Sequence, residues 1–143
     1  MENVSTQVEA FIRRFETNNR RIDFSETVSQ FADTFMAAGP LGAQCVRASD
    51  FALALPKRKQ LFESYGCEPM QLVSMDAHAL SDRYAIAHTR WKINFSINDS
   101  KAIVVETTFI VNTAEQPFRI VLYLAHQDIL AILKERASAK AQL

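Results

Sequence analysis

The chain has 143 residues, 48% apolar and 22% charged, a balance that suits one folded domain with a single core and excludes a disordered chain. Sixteen Lys and Arg against sixteen Asp and Glu leave no net charge to attract nucleic acid or an anionic membrane. No apolar run is long enough for a bilayer span or a signal-peptide core, and Cys45 and Cys67 form neither a C-x-x-C motif nor a disulfide framework, so a reduced, cytoplasmic protein is expected.

Val8, Phe11, Ile12 and Phe15 recur at helical spacing behind Thr6, with Glu9 in capping-box position, predicting a first helix from about Thr6 to Asn19. Ser25 is the expected N-cap of a second helix with Val28, Phe31, Ala32 and Phe35 as its stripe. Gly39-Pro40-Leu41-Gly42 predicts a turn between two short strands, the second over Gln44 to Ala48. Ser49 and Asp50 open a further helical segment that Pro56 should interrupt, with a second piece from Lys57 to Tyr65 closed by Gly66.

From Met70 to Ala125 four alternating runs without a glycine read as an antiparallel meander with one buried face. The expected breaks are Leu80 to Asp82, Asn98 to Ser100, and Thr113 to Gln116. A turn at Asn98, Asp99 and Ser100 sets Ile97 opposite Lys101, Phe95 opposite Ile103, Ile93 opposite Val105 and Trp91 opposite Thr107. On the other face it pairs Lys92 with Glu106 and Arg90 with Thr108. The last turn puts Val111 against Phe118 and Phe109 against Ile120. A turn near Ser81 brings His88 to Ser74 and His78 to Tyr84, so these two histidines would not share a metal. Ile129, Leu130, Ile132 and Leu133 then predict a C-terminal helix over about 126–138.

Two helices, a hairpin, a third helical segment and a long meander resemble the nuclear transport factor 2-like superfamily, chiefly its ketosteroid isomerase-like and polyketide cyclase-like branch. The resemblance rests on Phe31-Ala32-Asp33-Thr34-Phe35 leading into Gly39-Pro40-Leu41-Gly42, and on Arg90-Trp91, and covers about Val4 to Leu124. It implies an α+β, cystatin-like cone: N-terminal helices packed on a curved antiparallel sheet of strands of mixed length. A single domain over 1–143, with a core at about 4–125, would add the C-terminal helix as an extra element. The fold hosts isomerases, cyclases, dehydratases, dioxygenase subunits and non-catalytic binders, so it does not name an activity. Isomerases of this kind carry a general-base aspartate just before the hairpin proline and an oxyanion-stabilising tyrosine on the first helix. Gly39 stands at the first position and only Phe11 and Phe15 are available for the second, so that chemistry is not expected.

His88, Arg90, Glu106, Val121 and Tyr123 share the polar side of the expected register. Lining the cone, Arg90 would hold a carboxylate or phosphate while His88 moved a proton. Facing out, the same residues with Ile86 and Ile110 would form a homodimer contact. The second arrangement is expected, because the apolar face needs the helices' phenylalanines over it. The pocket would then be lined by Phe15, Phe31, Phe35, Cys45, Trp91, Thr107, Phe109 and Phe118, with plain core packing as the competing role for most of them. Asp33 is a further catalytic candidate that equally suits a solvent-facing charge on the second helix. The three histidines lack metal-ligand spacing and no cofactor is implied. The expected function is binding of a hydrophobic small molecule by a non-catalytic or accessory protein. The alternatives are a lyase, isomerase or cyclase acting on such a molecule with His88 and Arg90, and a structural subunit of a larger complex.

Overall fold

Helix α1 (Val4–Arg20) begins where Asn3 Oδ1 accepts the Thr6 backbone N–H at 2.9 Å, so Asn3 replaces the expected cap at Thr6. The computed structural model describes residues 3–96 and 101–141. Helix α2 (Phe24–Ser29) is capped by Asp23, which accepts the Glu26 N–H at 3.2 Å, rather than by Ser25. It stops after six residues, and the stretch expected to continue it is strand β1 (Phe31–Gly39). Phe31 and Phe35 are four apart, a spacing that keeps two side chains on one face of either a helix or a strand, so the stripe did not discriminate. What decides is pairing: the Ile120 N–H donates to the Gln30 carbonyl at 2.7 Å, and β2 (Gly42–Arg47) folds back on β1 from Gly39↔Gly42 to Thr34↔Arg47. Gly42 takes φ 132° in that turn, which a side chain rarely allows.

Helix α3 (Ala48–Ser64) runs through Pro56 without the expected break. The ring removes one backbone donor, and the helix persists because Leu55 is buried and Phe51 and Phe62 pack against the core on either side of the proline. After Gly66, with φ 81°, come β3 (Gln71–Ala79), β4 (Tyr84–Ile93), β5 (Ile103–Asn112), β6 (Arg119–Ala125) and helix α4 (Ile129–Ala141). The four-strand meander is as expected. The six strands lie in the order β2-β1-β6-β5-β4-β3, antiparallel except for β1 beside β6, which is parallel.

The β4–β5 hairpin is shifted by two residues from the expected register, and so are β3–β4 and β5–β6 until irregularities at Val73 and Val121 change the offset. In β4–β5, Ile93 faces Ile103, Trp91 faces Val105 and Arg90 faces Glu106; the turn expected at Asn98 to Ser100, and Ile97 with it, lies outside the described residues. Val111 faces Ile120, not Phe118, which is buried just before β6. A shift of two leaves every side chain on its original face, so alternation could not register it. One face of the sheet is therefore apolar as expected, with Ala85, Ala87, Trp91, Ile93, Val105, Phe109, Val111 and Ile120 all buried.

The helices lie on this inner face. Phe15 of α1 meets Phe31, Trp91 and Phe109 at ring-centroid distances of 6.0, 6.1 and 5.3 Å. Buried Gln30 ties three elements together: its side chain donates to the Phe11 carbonyl at 3.0 Å and accepts from Asn18 at 3.1 Å, while its carbonyl takes the Ile120 N–H. Ile129 and Leu133 bring α4 into the same core. Among the described residues no helix is long and apolar enough to cross a membrane.

Candidate functional site

On the inner face, seven of the eight expected pocket residues, Phe15, Phe31, Phe35, Trp91, Thr107, Phe109 and Phe118, are buried and belong to or adjoin one aromatic core. Their polar atoms serve one another. Trp91 Nε1 donates to Thr89 Oγ1 at 2.7 Å, and Thr89 Oγ1 donates to the Thr107 carbonyl at 2.7 Å. Cys45 is not among them: it pairs with Met36, two strands from Ile110, and is exposed on the opposite side of the sheet. The reason is alternation along β2, where Val46 faces Phe35 and so takes the inward position.

Asp33 is an exposed residue of β1 rather than a helix position. Three strand spacings, about 14 Å, separate β1 from β4, so Asp33 does not join His88 and Arg90. The buried polar residues of the described chain are Thr27, Gln30, Thr89, Thr107 and Thr108, none of them titratable.

The outer face holds the ionisable groups. Alternation along β4 puts His88, Arg90 and Lys92 there, and the observed register places Asp76 beside His88 and Glu106 beside Arg90. Arg90 Nη2 lies 3.9 Å from Glu106 Oε1, an ion pair without a hydrogen bond, with the two side chains 59% and 45% exposed. Such a pair contributes little to stability and leaves both charges available. Ser74, Asp76, His88, Arg90 and Glu106, with Met75 and Thr89, line a shallow groove of about 310 Å³.

All three histidines of the chain converge beside this groove. His78 faces Ile86, not Tyr84, which brings its ring to 6.3 Å from that of His88. His88 Nδ1 lies 3.1 Å from Thr108 Oγ1, and His126 Nε2 lies 2.7 Å from the same oxygen. Thr108 is only 5% exposed although it is on the outer face, because the two imidazoles flank it. No local pattern signals His126, which follows the end of β6 and is held by its N–H donating to the Glu106 carbonyl at 3.0 Å. His78 and Asp76 were legible as outward strand positions once the β3–β4 register is two residues longer. Among the described residues no three His, Cys, Asp or Glu side chains are arranged to hold a metal.

Tyr123 departs from its expected place on this face. In β5–β6, Ile110 pairs with Leu122 but Val111 with Ile120, so Val121 is an extra residue, and the bulge turns Tyr123 inward. Its ring meets Phe109 at 5.4 Å. Leu122 and Leu124 take the outward positions instead, beside Ile110 and Thr108.

The two cysteines have different environments. Burial pushes the Cys67 thiol up, partly opposed by the Arg136 guanidinium, whereas Cys45 is exposed. Iodoacetamide at pH 8 should therefore alkylate Cys45 several times faster than Cys67; peptide mass spectrometry reads the order, and faster labelling of Cys67 would contradict this assignment.

No family model and no curated protein matches this sequence. Solved structures do match in fold. A protein of unknown function with a cystatin-like fold from Nostoc punctiforme superposes with a TM-score of 0.67 at 12% identity, over 90% of this chain and 96% of that one. A ketosteroid isomerase-like protein from Erwinia carotovora gives 0.67 at 13% identity, over 90% and 98%. The beta subunit of the benzoate 1,2-dioxygenase from Burkholderia mallei gives 0.64 at 7% identity, over 88% and 92%. Helices packed on one face of this mixed six-stranded sheet thus have the nuclear transport factor 2-like, cystatin-like fold.

Proposed function

We propose that this protein is a non-catalytic, accessory binding module that accepts a small apolar molecule on its inner face and joins a second copy through its outer face. The observation that carries the non-catalytic reading is that the buried polar set is four threonines and Gln30, none titratable, among the described residues, while the titratable groups at its border are engaged, Glu16 by the Leu72 N–H at 2.6 Å and Tyr123 against Phe109. Acid–base catalysis needs such a group within hydrogen-bond reach of the substrate. An interior whose polar groups already serve one another favours apolar ligands, since a polar one would be left without partners. Met70, Leu72, Met75 and Tyr123, half-buried at the border of the aromatic core, supply the apolar margin.

The outer face supports self-association. Ile86, Ile110, Leu122 and Leu124 are half-buried there, where their inward neighbours Ala87 and Phe109 are fully covered. On β3, β4 and β5 the charges of this face balance, Arg90 and Lys92 against Asp76 and Glu106, while Arg119 of β6 and Arg47 of β2 add positive charge toward its other side. A two-fold axis presents the same patch to itself, so Asp76 and Glu106 of one copy can meet Arg90 and Lys92 of the other. In sedimentation velocity the wild type should be a dimer and Arg90→Glu a monomer, and indole should raise the melting temperature of the wild type. A monomeric wild type overturns the dimer, and no thermal shift with indole overturns the apolar site.

A second reading, catalysis in the outer groove, is favoured by the presence of His88 and Arg90 in its lining. A turnover of the purified protein that disappears in His88→Ala would establish it in place of the first.

A further inference from the structure

Three histidines are a small number to meet by chance in one patch, and here the patch is the face assigned to self-association. We propose that the His78, His88 and His126 cluster makes that association pH-dependent, with the dimer favoured at neutral pH and released by acid. This inference rests on the dimer reading above and adds its regulation.

The geometry of Thr108 supplies the first reason. A hydroxyl has one proton, and Thr108 Oγ1 stands between His88 Nδ1 at 3.1 Å and His126 Nε2 at 2.7 Å. With both imidazoles neutral, the satisfied arrangement has one N–H and one bare nitrogen facing the oxygen, so that the hydroxyl accepts from one ring and donates to the other. Protonating the accepting ring turns it into a donor, and the two N–H groups then aim at one oxygen whose own proton has no acceptor in the row. Acid therefore leaves both N–H groups on one oxygen and the proton of the buried Thr108 hydroxyl without an acceptor, which weakens the link from β4 through β5 to the residue after β6.

Charge supplies the second reason. Facing the cluster are Asp76 from β3, Arg90 and Lys92 from β4 and Glu106 from β5; β6 contributes Leu122, Leu124 and, beside Asn112, the charged Arg119, β1 contributes Met36, and Asp128 follows His126 and accepts the Ala131 N–H. With neutral imidazoles the strand cations Arg90, Lys92 and Arg119 already outnumber the strand carboxylates Asp76 and Glu106. Full protonation adds three positive charges to each copy's face, and a two-fold contact would bring both sets together. The dimer therefore disfavours the protonated rings relative to the monomer and takes up fewer protons. By linkage its stability is present while the imidazoles are neutral and is lost on acidification.

Sedimentation equilibrium at pH 7.5 and pH 5.5, with circular dichroism confirming the fold at both, tests this. The dissociation constant should rise at least about tenfold on acidification, and in a variant carrying His78→Gln, His88→Gln and His126→Gln it should change less than about twofold. A wild-type dimer equally tight at both values overturns the inference and leaves the dimer reading standing. A monomer at both overturns the dimer reading and the inference with it. Acid release that persists in the triple variant also overturns it, by assigning the effect to the carboxylates. Should the triple variant not fold, the histidine ring proton resonances of the wild type decide: their titration midpoints should rise on dilution from dimer to monomer, and midpoints independent of concentration would refute the proposal.

Discussion

Replacing Phe109 by alanine is expected to lower the free energy of unfolding by about 3–5 kcal/mol, the range for removing a large buried ring. Phe109 is 0% exposed and sits between Phe15 at 5.3 Å and Tyr123 at 5.4 Å, both in edge-on geometry. The flanking rings belong to α1 and β6, and α1 is also held to α2 by the Asn18–Gln30 bond, so neither side can collapse freely into the space left behind. The cost should therefore fall in the upper part of the range. Urea denaturation followed by circular dichroism measures it. A loss below about 1 kcal/mol would mean that the ring stands in a loosely packed chamber. That result would contradict the close packing of Phe109 between Phe15 and Tyr123.

The second large effect concerns α4. Leu133→Ala should cost about 2–5 kcal/mol and free the helix for proteolysis after Lys134 and Arg136. Leu133 is 1% exposed and Ile129 is also buried, while the Arg136 guanidinium lies 3.6 Å from the centroid of the Phe95 ring. Arg136 and Ile129 alone leave one apolar anchor and one cation–π contact, too few to order a helix that was already short. Denaturation and limited trypsin digestion report the two consequences separately. Unchanged stability with unchanged cleavage would show that α4 is held by something other than Leu133.

How much was legible depended on whether a pattern had one structural solution. Val8, Phe11, Ile12 and Phe15 combine spacings of three and four, which only a helix satisfies on one face, and α1 is where they place it. Phe31 and Phe35 differ by four, which a strand satisfies equally, and hydrogen bonding to β2 and β6 chose the strand. Pro56 carries a strong local signal, but the apolar contacts of Leu55, Phe51 and Phe62 lie on both sides of it and outweigh one lost donor.

The candidate site shows the same division. Which residues of β4 face outward was readable from alternation, so His88 and Arg90 were correctly paired on one face. Which residues stand beside them was not, because a two-residue shift in each hairpin moves Glu106 from Lys92 to Arg90 and Asp76 to His88 without changing any face. Tyr123 was lost to an odd insertion: the extra Val121 reverses the alternation beyond it, and nothing in an apolar run announces a bulge.

By itself, then, the amino-acid order determined the number of meander strands, the identity of their buried face and the helix that covers it, since each follows from hydrophobic period along a continuous segment. Tertiary structure decided what periodicity cannot encode: register, bulge position and the convergence of segments far apart in the chain. His78, His88 and His126 meet at Thr108's side of the sheet because β3, β4, β5 and the end of β6 are hydrogen-bonded in that order. A contact between residues tens of positions apart depends on the free energy of the whole sheet, and no local window contains it.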